Sequence, residues 1–397
     1  MDSIVEHNSG TAGGVSSAQN DLHVAVKGNS MIRHNNAEVG GVFSAQSISI
    51  SADGNCSISQ NSAISSGGVA VADEMVVQMA DQSRLTENSA AFGGVFYAGG
   101  NLTVEIRGSS SFQNNHASIC GGAVYFNGTL SAEEQGTAIV YIHGDTAAAS
   151  DVEDATVTFQ GNTAGDKGGV ICAQGGSRTT AVALHSLSIS SSTAGEGGAL
   201  YLDGAREINI LECTFDSNSA ETSGGVMYLG ASDDTSPPIV NVHNSTLLAS
   251  SAGESGGGLY LNIGPTIEAS VNIVSSYFYS NSAIAGFGGG VYIAGGAETQ
   301  IMNSIFESNV VVDGGGAAIA MLDGQNMLNL NGVLFQYNVA PTGAGAYLDS
   351  GNAGGTSSLS IANTSMEGNI VRCGGIAITV VGEVDMYIAA DVSFNTK

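Results

Sequence analysis

The 397-residue sequence predicts an all-β chain wound as a parallel β-helix, a β-solenoid of about 13 coils. Three observations predict it. One short unit recurs along the whole chain; the segments between recurrences are short and rich in β-branched residues, without helical periodicity; and one polar residue type returns at a fixed place in nearly every copy. A repeat array grows lengthwise rather than around one core, so a single solenoid domain over 1–397 is expected. Both ends fall inside a unit, at Val5-Glu6-His7-Asn8 and at Val392-Ser393-Phe394-Asn395, so the chain reads as a segment of a longer solenoid or as a subunit that stacks end to end.

The unit is clearest from Phe112 to Phe126, where Phe112 stands three residues before Asn115 and Gly121-Gly122 opens a short apolar run. Aligned on the glycine step, thirteen copies begin at Gly13, Gly40, Gly67, Gly93, Gly121, Gly168, Gly197, Gly224, Gly256, Gly288, Gly314, Gly343 and Gly374. The steps are 26 to 32 residues apart except for one of 47, between Gly121 and Gly168. Ahead of eleven steps stands an asparagine: Asn8, Asn35, Asn61, Asn88, Asn115, Asn162, Asn218, Asn281, Asn309, Asn338 and Asn369; Ser192 and Ser250 take the place in the other two. Equivalent residues of successive coils stack, so these asparagines are expected to form a ladder of side-chain amides at a coil corner. The apolar residue three positions earlier starts an inward stack, and the glycines allow a tight turn between sheets.

Segments such as Leu102-Thr-Val-Glu-Ile106, Ile208-Asn-Ile-Leu211 and Val271-Asn-Ile-Val274, bounded by Gly, Ser or Asn, are the strands. In the strand after the glycines a second column appears: Tyr97, Tyr125, Tyr201, Tyr228, Tyr260, Tyr292 and Tyr347, with Cys172 in the same place. Their neighbours are mostly apolar, so if those face the core the tyrosines form an outward stripe, able to stack on sugars or on another protein surface. The long unit carries an insertion, 128–155, read as an acidic loop containing Glu133, Glu134, Asp145, Asp151, Glu153 and Asp154, with an added hairpin around Ala138 to Ile142. A smaller insertion holds Asp233-Asp234 and Pro237-Pro238. No cofactor is expected; any weakly bound calcium belongs at these acidic loops.

Composition narrows the function. With 36 acidic and 9 basic residues the formal charge is −27, which repels nucleic-acid phosphates and anionic membranes. No segment approaches the roughly 18 unbroken apolar residues of a membrane span. The five cysteines, Cys56, Cys120, Cys172, Cys213 and Cys373, are widely spread and signal neither a disulfide framework nor a zinc site; Cys56, Cys120, Cys213 and Cys373 read as buried or semi-buried thiols. Five sequons for N-glycosylation occur, about as many as chance gives in a chain this rich in Asn, Ser and Thr.

Catalytic groups are sparse. A uronate lyase needs clustered cations, but Lys167, Arg178 and Arg206 fall at unlike places in their coils. A hydrolase needs paired carboxylates, but Asp203, Asp323 and Asp349 follow their strands in non-adjacent coils, in tripeptides typical of turns. His7 and His34 share a place in consecutive coils, and a stacked surface pair accounts for them better than a metal site.

The pairing of Phe112-x-x-Asn115 with Gly121-Gly122-Ala123-Val124, and of Phe215-x-x-Asn218 with Gly224-Gly225-Val226, resembles the repeats of the chlamydial polymorphic outer membrane proteins and related adhesin-like proteins. The resemblance implies a right-handed, pectin-lyase-like parallel β-helix, surface exposure and a role in adhesion. The expected function is therefore a non-enzymatic extracellular rod that is structural or adhesive, contributing to a surface layer or filament. Its partners would be itself, other surface proteins or glycans; the alternative is a polysaccharide-active β-helix enzyme, a lyase or glycoside hydrolase.

Overall fold

The computed structural model describes the chain except residues 1, 129–137, 146–156, 175–179, 231–236, 352–356, 374–376, 390 and 396–397, and except the side chains of 138, 145, 265–268 and 394–395. Among the described residues every regular element is a strand, and no helix is long and apolar enough to cross a membrane. The chain forms two compact units, Met1–Gly195 with Ala199–Ala205, and Glu196–Gly198 with Arg206–Lys397. Each is a parallel β-solenoid, and the two account for about 12 turns.

Every turn feeds three sheets. In the first unit the first sheet runs through Ile4–Glu6, Met31–Arg33, Ser57–Ser59, Arg84–Thr86, Ser111–Gln113, Val157–Gln160 and Leu187–Ser190, each parallel to the next. In the second unit the equivalent strands are Thr214–Asp216, Thr246–Leu248, Tyr277–Tyr279, Ile305–Glu307, Leu334–Gln336, Ser365–Glu367 and Ser393–Asn395. The second sheet uses strands of two to five residues, such as Thr163–Ala164 and His116–Cys120, and the third takes two strands per turn, such as Phe96–Ala98 and Leu102–Arg107. Pairing is in register, so each residue lies beside its equivalents: Phe112 between Leu85 and Phe159, and Phe306 between Phe278 and Phe335.

This register makes the core a set of columns. Along Leu102–Arg107 the apolar residues Leu102, Val104 and Ile106 are buried and their neighbours are not, the period-two pattern of a half-buried strand. The inward column of the first sheet is large. Phe112 stacks on Phe159 with ring centres 4.5 Å apart, and Phe278 on Phe306 at 4.6 Å, all fully buried. Each such side chain removed from water contributes about 2–3 kcal/mol. The inward column of the second sheet is small, with Ala117, Ala164 and Ala194 in one unit and Ala283, Val311 and Ala340 in the other. Large and small columns thus fill one cross-section between them.

The glycine step is a steric requirement. Gly121 has a φ of 72°, in the left-handed region, and a side chain on Gly122 would be driven into the Gly169 carbonyl oxygen of the next turn. Beside the step runs the asparagine column. Asn61 shows the pattern: its Nδ2 donates to Asn88 Oδ1 (3.0 Å) and to the Ile32 carbonyl (3.1 Å), and its backbone N–H also donates to Asn88 Oδ1 (3.1 Å). In the first unit the amide-to-amide chain runs Asn8, Asn35, Asn61, Asn88, Asn115, Asn162. In the second it runs Asn281, Asn309, Asn338, Asn369, preceded by Asn218, whose N–H donates to Ser250 Oγ, and by Ser250, whose N–H donates to Asn281 Oδ1. All but Asn8 are buried at 1% exposure or less, so each column satisfies polar groups that would otherwise be stranded in the interior.

Two sequence expectations change. Ala138–Asp145 forms no hairpin: it is a parallel strand between Leu102–Arg107 and Thr180–His185, an ordinary part of its turn. Residues 129–137 and 146–155 of the acidic loop, and Asp233-Asp234, lie outside the described residues. In the eleventh copy the glycine step is at Gly316 rather than Gly314. Gly316 has the φ of 66° seen at the other steps, and Ile319 pairs with Val291 of the preceding turn. A spare glycine two residues upstream had shifted the sequence alignment.

Candidate functional site

The tyrosine column lies on the third sheet. Phe96, Ala98, Val124 and Phe126 are fully buried, so strand alternation turns Tyr97 and Tyr125 to the opposite, outer face. Register places Tyr97, Tyr125, Cys172 and Tyr201 in one column of the first unit, and Tyr228, Tyr260, Tyr292, Ala320 and Tyr347 in one column of the second. Ring centres are 5.0 Å apart for Tyr228 with Tyr260 and for Tyr260 with Tyr292, with interplanar angles of 16° and 21°. Tyr97 and Tyr125 are 5.1 Å apart and tilted by 34°.

Outward does not mean open. Tyr125 and Tyr201 are 5% exposed and Tyr292 9%. The covering group is the residue just before the glycine step, which leans on the tyrosine position of the following turn. Phe92 packs on Tyr125, with centroids 5.0 Å apart. In the following turn Cys120 is bonded to Cys172, Cα to Cα 5.7 Å. In the turn after that Lys167 Nζ lies 4.4 Å above the Tyr201 ring centre and donates to its hydroxyl at 2.9 Å. In the second unit Phe287 lies 6.4 Å from Tyr292 and 5.3 Å from Tyr347, passing the small Ala320 between them. An aromatic pair, a disulfide and a cation over a ring thus do the same job at one corner, each clasping one turn to the next.

This geometry limits the chemistry of the stripe. Both faces of Tyr260 are taken up by Tyr228 and Tyr292, so sugars cannot stack on it, and the column offers ring edges and hydroxyls instead. Some of those are engaged: Tyr125 donates to Gln174 Oε1 at 2.9 Å, and Tyr97 accepts from Asn127 Nδ2 at 3.3 Å. Burial, aided by neighbouring Tyr97, pushes the Tyr125 phenol up to about 12, and burial with the Asp323 carboxylate does the same to Tyr292. Burial also raises Tyr260 and Tyr347.

The disulfide corrects the reading of Cys120 as a thiol and the expectation that the cysteines form no disulfide. Cys56 and Cys213 are buried thiols outside the disulfide, and Cys373 is an exposed one. The sequence signal existed but was indirect: Cys120 is in the column before the glycines and Cys172 in the tyrosine column, and only the fold shows that these columns touch.

The other candidates are dispersed. Asp349 Oδ1 accepts the Gly351 N–H at 2.9 Å, a turn role, and Asp323 sits at a φ of 60°. These two lie in neighbouring turns, contrary to the sequence reading, but one residue out of register, since Asp349 is beside Leu322. Asp203 is beside Gln174 in the first unit. Lys167 is committed to Tyr201, and Arg178 lies outside the described residues. His7 and His34 are exposed and stack at 5.2 Å with an angle of 10°. Among the described residues no three His, Cys, Asp or Glu side chains converge as metal ligands. Sequence reasoning missed a second, outer amide ladder on the third sheet, in which Asn272 Nδ2 donates to Asn241 Oδ1 (3.0 Å) and Asn241 Nδ2 to Asn209 Oδ1 (2.8 Å). Its signal was the apolar-Asn-apolar centre shared by three successive strands.

The site and fold define a structural class, the parallel β-solenoid whose turns are held by amide and side-chain columns. Residues 109–127 and 156–174 match the Chlamydia polymorphic membrane protein repeat family. The matched stretches are two successive turns containing Asn115 and Asn162, both glycine steps and both cysteines of the disulfide. No curated protein and no solved structure matches the chain.

Two measurements test this corner. Replacing Cys120 and Cys172 together by Ala should cost on the order of 4 kcal/mol, from loss of the cross-link over a separation of 52 residues, read by denaturant unfolding. The raised phenols give the second. The folded state favours neutral Tyr125 and Tyr292, so their contribution is complete below about pH 10, the unfolded value, and is lost as pH rises through about 12. Thermal midpoints measured across that window should fall, and less steeply in a Tyr125→Phe, Tyr292→Phe variant.

Proposed function

We propose that this protein is a non-enzymatic, extracellular β-solenoid that serves adhesion or builds a surface layer, with its outer columns as the contact faces. The observation that carries the reading is the polymorphic membrane protein repeat on two consecutive turns. The Cys120–Cys172 disulfide supports it, because such bonds persist in oxidising compartments outside the cytosol. So does the charge of −27, which suits a solvated surface poor in lysine. The dispersed carboxylates favour this reading over the polysaccharide-active alternative, since glycoside hydrolysis needs two facing each other.

Antibody against the chain should label intact cells of its source, and brief external protease treatment should remove the signal. Labelling that appears only after permeabilisation contradicts the proposal. Reducing-sugar release from neutral and acidic glycans should stay at background; turnover abolished by Asp203→Asn would establish the enzyme instead.

A further inference from the structure

The repeat supplies its own control for surface composition, because equivalent positions in different turns meet the same construction demands. At the outward position of the second sheet the first unit carries Ser62, Ser89, His116 and Thr163. The second unit begins in the same way, with Ser219, Ser251 and Ser282, and then changes to Val310, Val339 and Ile370. At the adjoining outward position of the first sheet, Ile305 and Leu334 fall in the same turns as Val310 and Val339; the first unit has Ile4 and Met31 there in its first two turns but Ser57, Thr158 and Ser188 in later ones. Between the two sheets Tyr337 occupies the corner at a φ of 57°, where neighbouring turns place Ser280, Ser308 and Gly368. A bulky aromatic residue is disfavoured in that conformation, yet Tyr337 holds it with 56% of its surface exposed. Ile370 is 46% exposed and Ile305 37%. Coil construction does not require these side chains, because other turns are built without them, and a contiguous apolar patch marks a contact surface.

We infer that this corner, formed by Ile305, Leu334, Tyr337, Val310, Val339 and Ile370, is a docking face for a basic protein partner that presents aliphatic or aromatic side chains ringed by Lys or Arg. Charge decides the occupant. Glu307, Asp313 and Glu367 border the patch, with Arg372 as the cation at its edge, and Tyr277 already donates its hydroxyl to Glu307. A second copy would bring a further −27 and set those carboxylates against their own kind, whereas a cationic partner pairs with them while burying the apolar centre. The inference gives the proposed surface protein its contact face and rests on that reading for its biological setting. Its test uses purified protein, so the surface-labelling result does not decide it.

The probes are two synthetic amphipathic peptides with leucines on one face, one with lysines and one with glutamates opposite, titrated onto the intact chain and followed by calorimetry. The lysine peptide should bind and the glutamate peptide should not. Replacing Ile305, Val339 and Ile370 by Thr, a residue type the first unit itself uses at these positions, should weaken binding at least tenfold while leaving the circular dichroism and melting unchanged. Glu307→Gln with Glu367→Gln should weaken it and reduce its salt dependence. The same change at Ile64, 73% exposed in the first unit, should have no effect. Equal binding by the threonine variant, binding of the glutamate peptide, or no binding of either overturns the inference. So does self-association in sedimentation that the threonine variant abolishes, which would make a second copy the occupant.

Discussion

In-register parallel stacking is the constraint on which the rest depends. Once each residue must lie beside its equivalents in the turns before and after, a polar side chain inside the solenoid has only its own kind and the adjacent backbone as partners. Asparagine meets that demand because its amide donates and accepts at once, and because Nδ2 has a second proton for the carbonyl of the preceding turn, as Asn309 Nδ2 has for Phe278 O. Serine can relay the chain, as Ser250 does between Asn218 and Asn281, but with its backbone N–H rather than its side chain as donor. The column therefore fixes register without a partner from outside the repeat, and it leaves the outer face of each turn free to vary.

Much of this was legible in the sequence because a repeat averages over its own copies. Asn115 alone says little; eleven asparagines at one place, each with an apolar residue three positions before, specify a corner. What was not legible concerns contacts between columns. Nothing in the separation of Cys120 and Cys172 shows that the position before the glycines lies against the tyrosine position of the next turn, although Phe92 with Tyr125 obeys the same rule. The outward direction of the tyrosines followed from alternation with Phe96 and Val124, but their coverage did not, because it comes from side chains one turn away. The same limit misplaced Gly314, where local composition outweighed a register that only pairing with the previous turn establishes.

Function follows from separating what the coil needs from what it does not. The tyrosine corner, at first sight the exceptional feature, is largely structural: its rings cover one another, and Phe, Cys and Lys clasp them from the preceding turn. The outer columns are where one turn differs from another without penalty. There the serines, threonine and histidine at the outward position of the second sheet in the first unit give way to Val310, Val339 and Ile370 in the second, with Tyr337 at the adjoining corner.

The central claim is that buried amide stacking, rather than amide stacking in general, holds the turns in register, and one comparison tests it. Asn309 and Asn241 each sit between amide neighbours in the second unit, the former buried and the latter on the outer face. Unfolding of the Asn309→Leu and Asn241→Leu variants should show a loss of about 3 kcal/mol or more for the first, which strands the backbone and side-chain groups of Asn281, Asn338 and Phe278, and under about 1 kcal/mol for the second. Similar small losses at both positions would contradict the account.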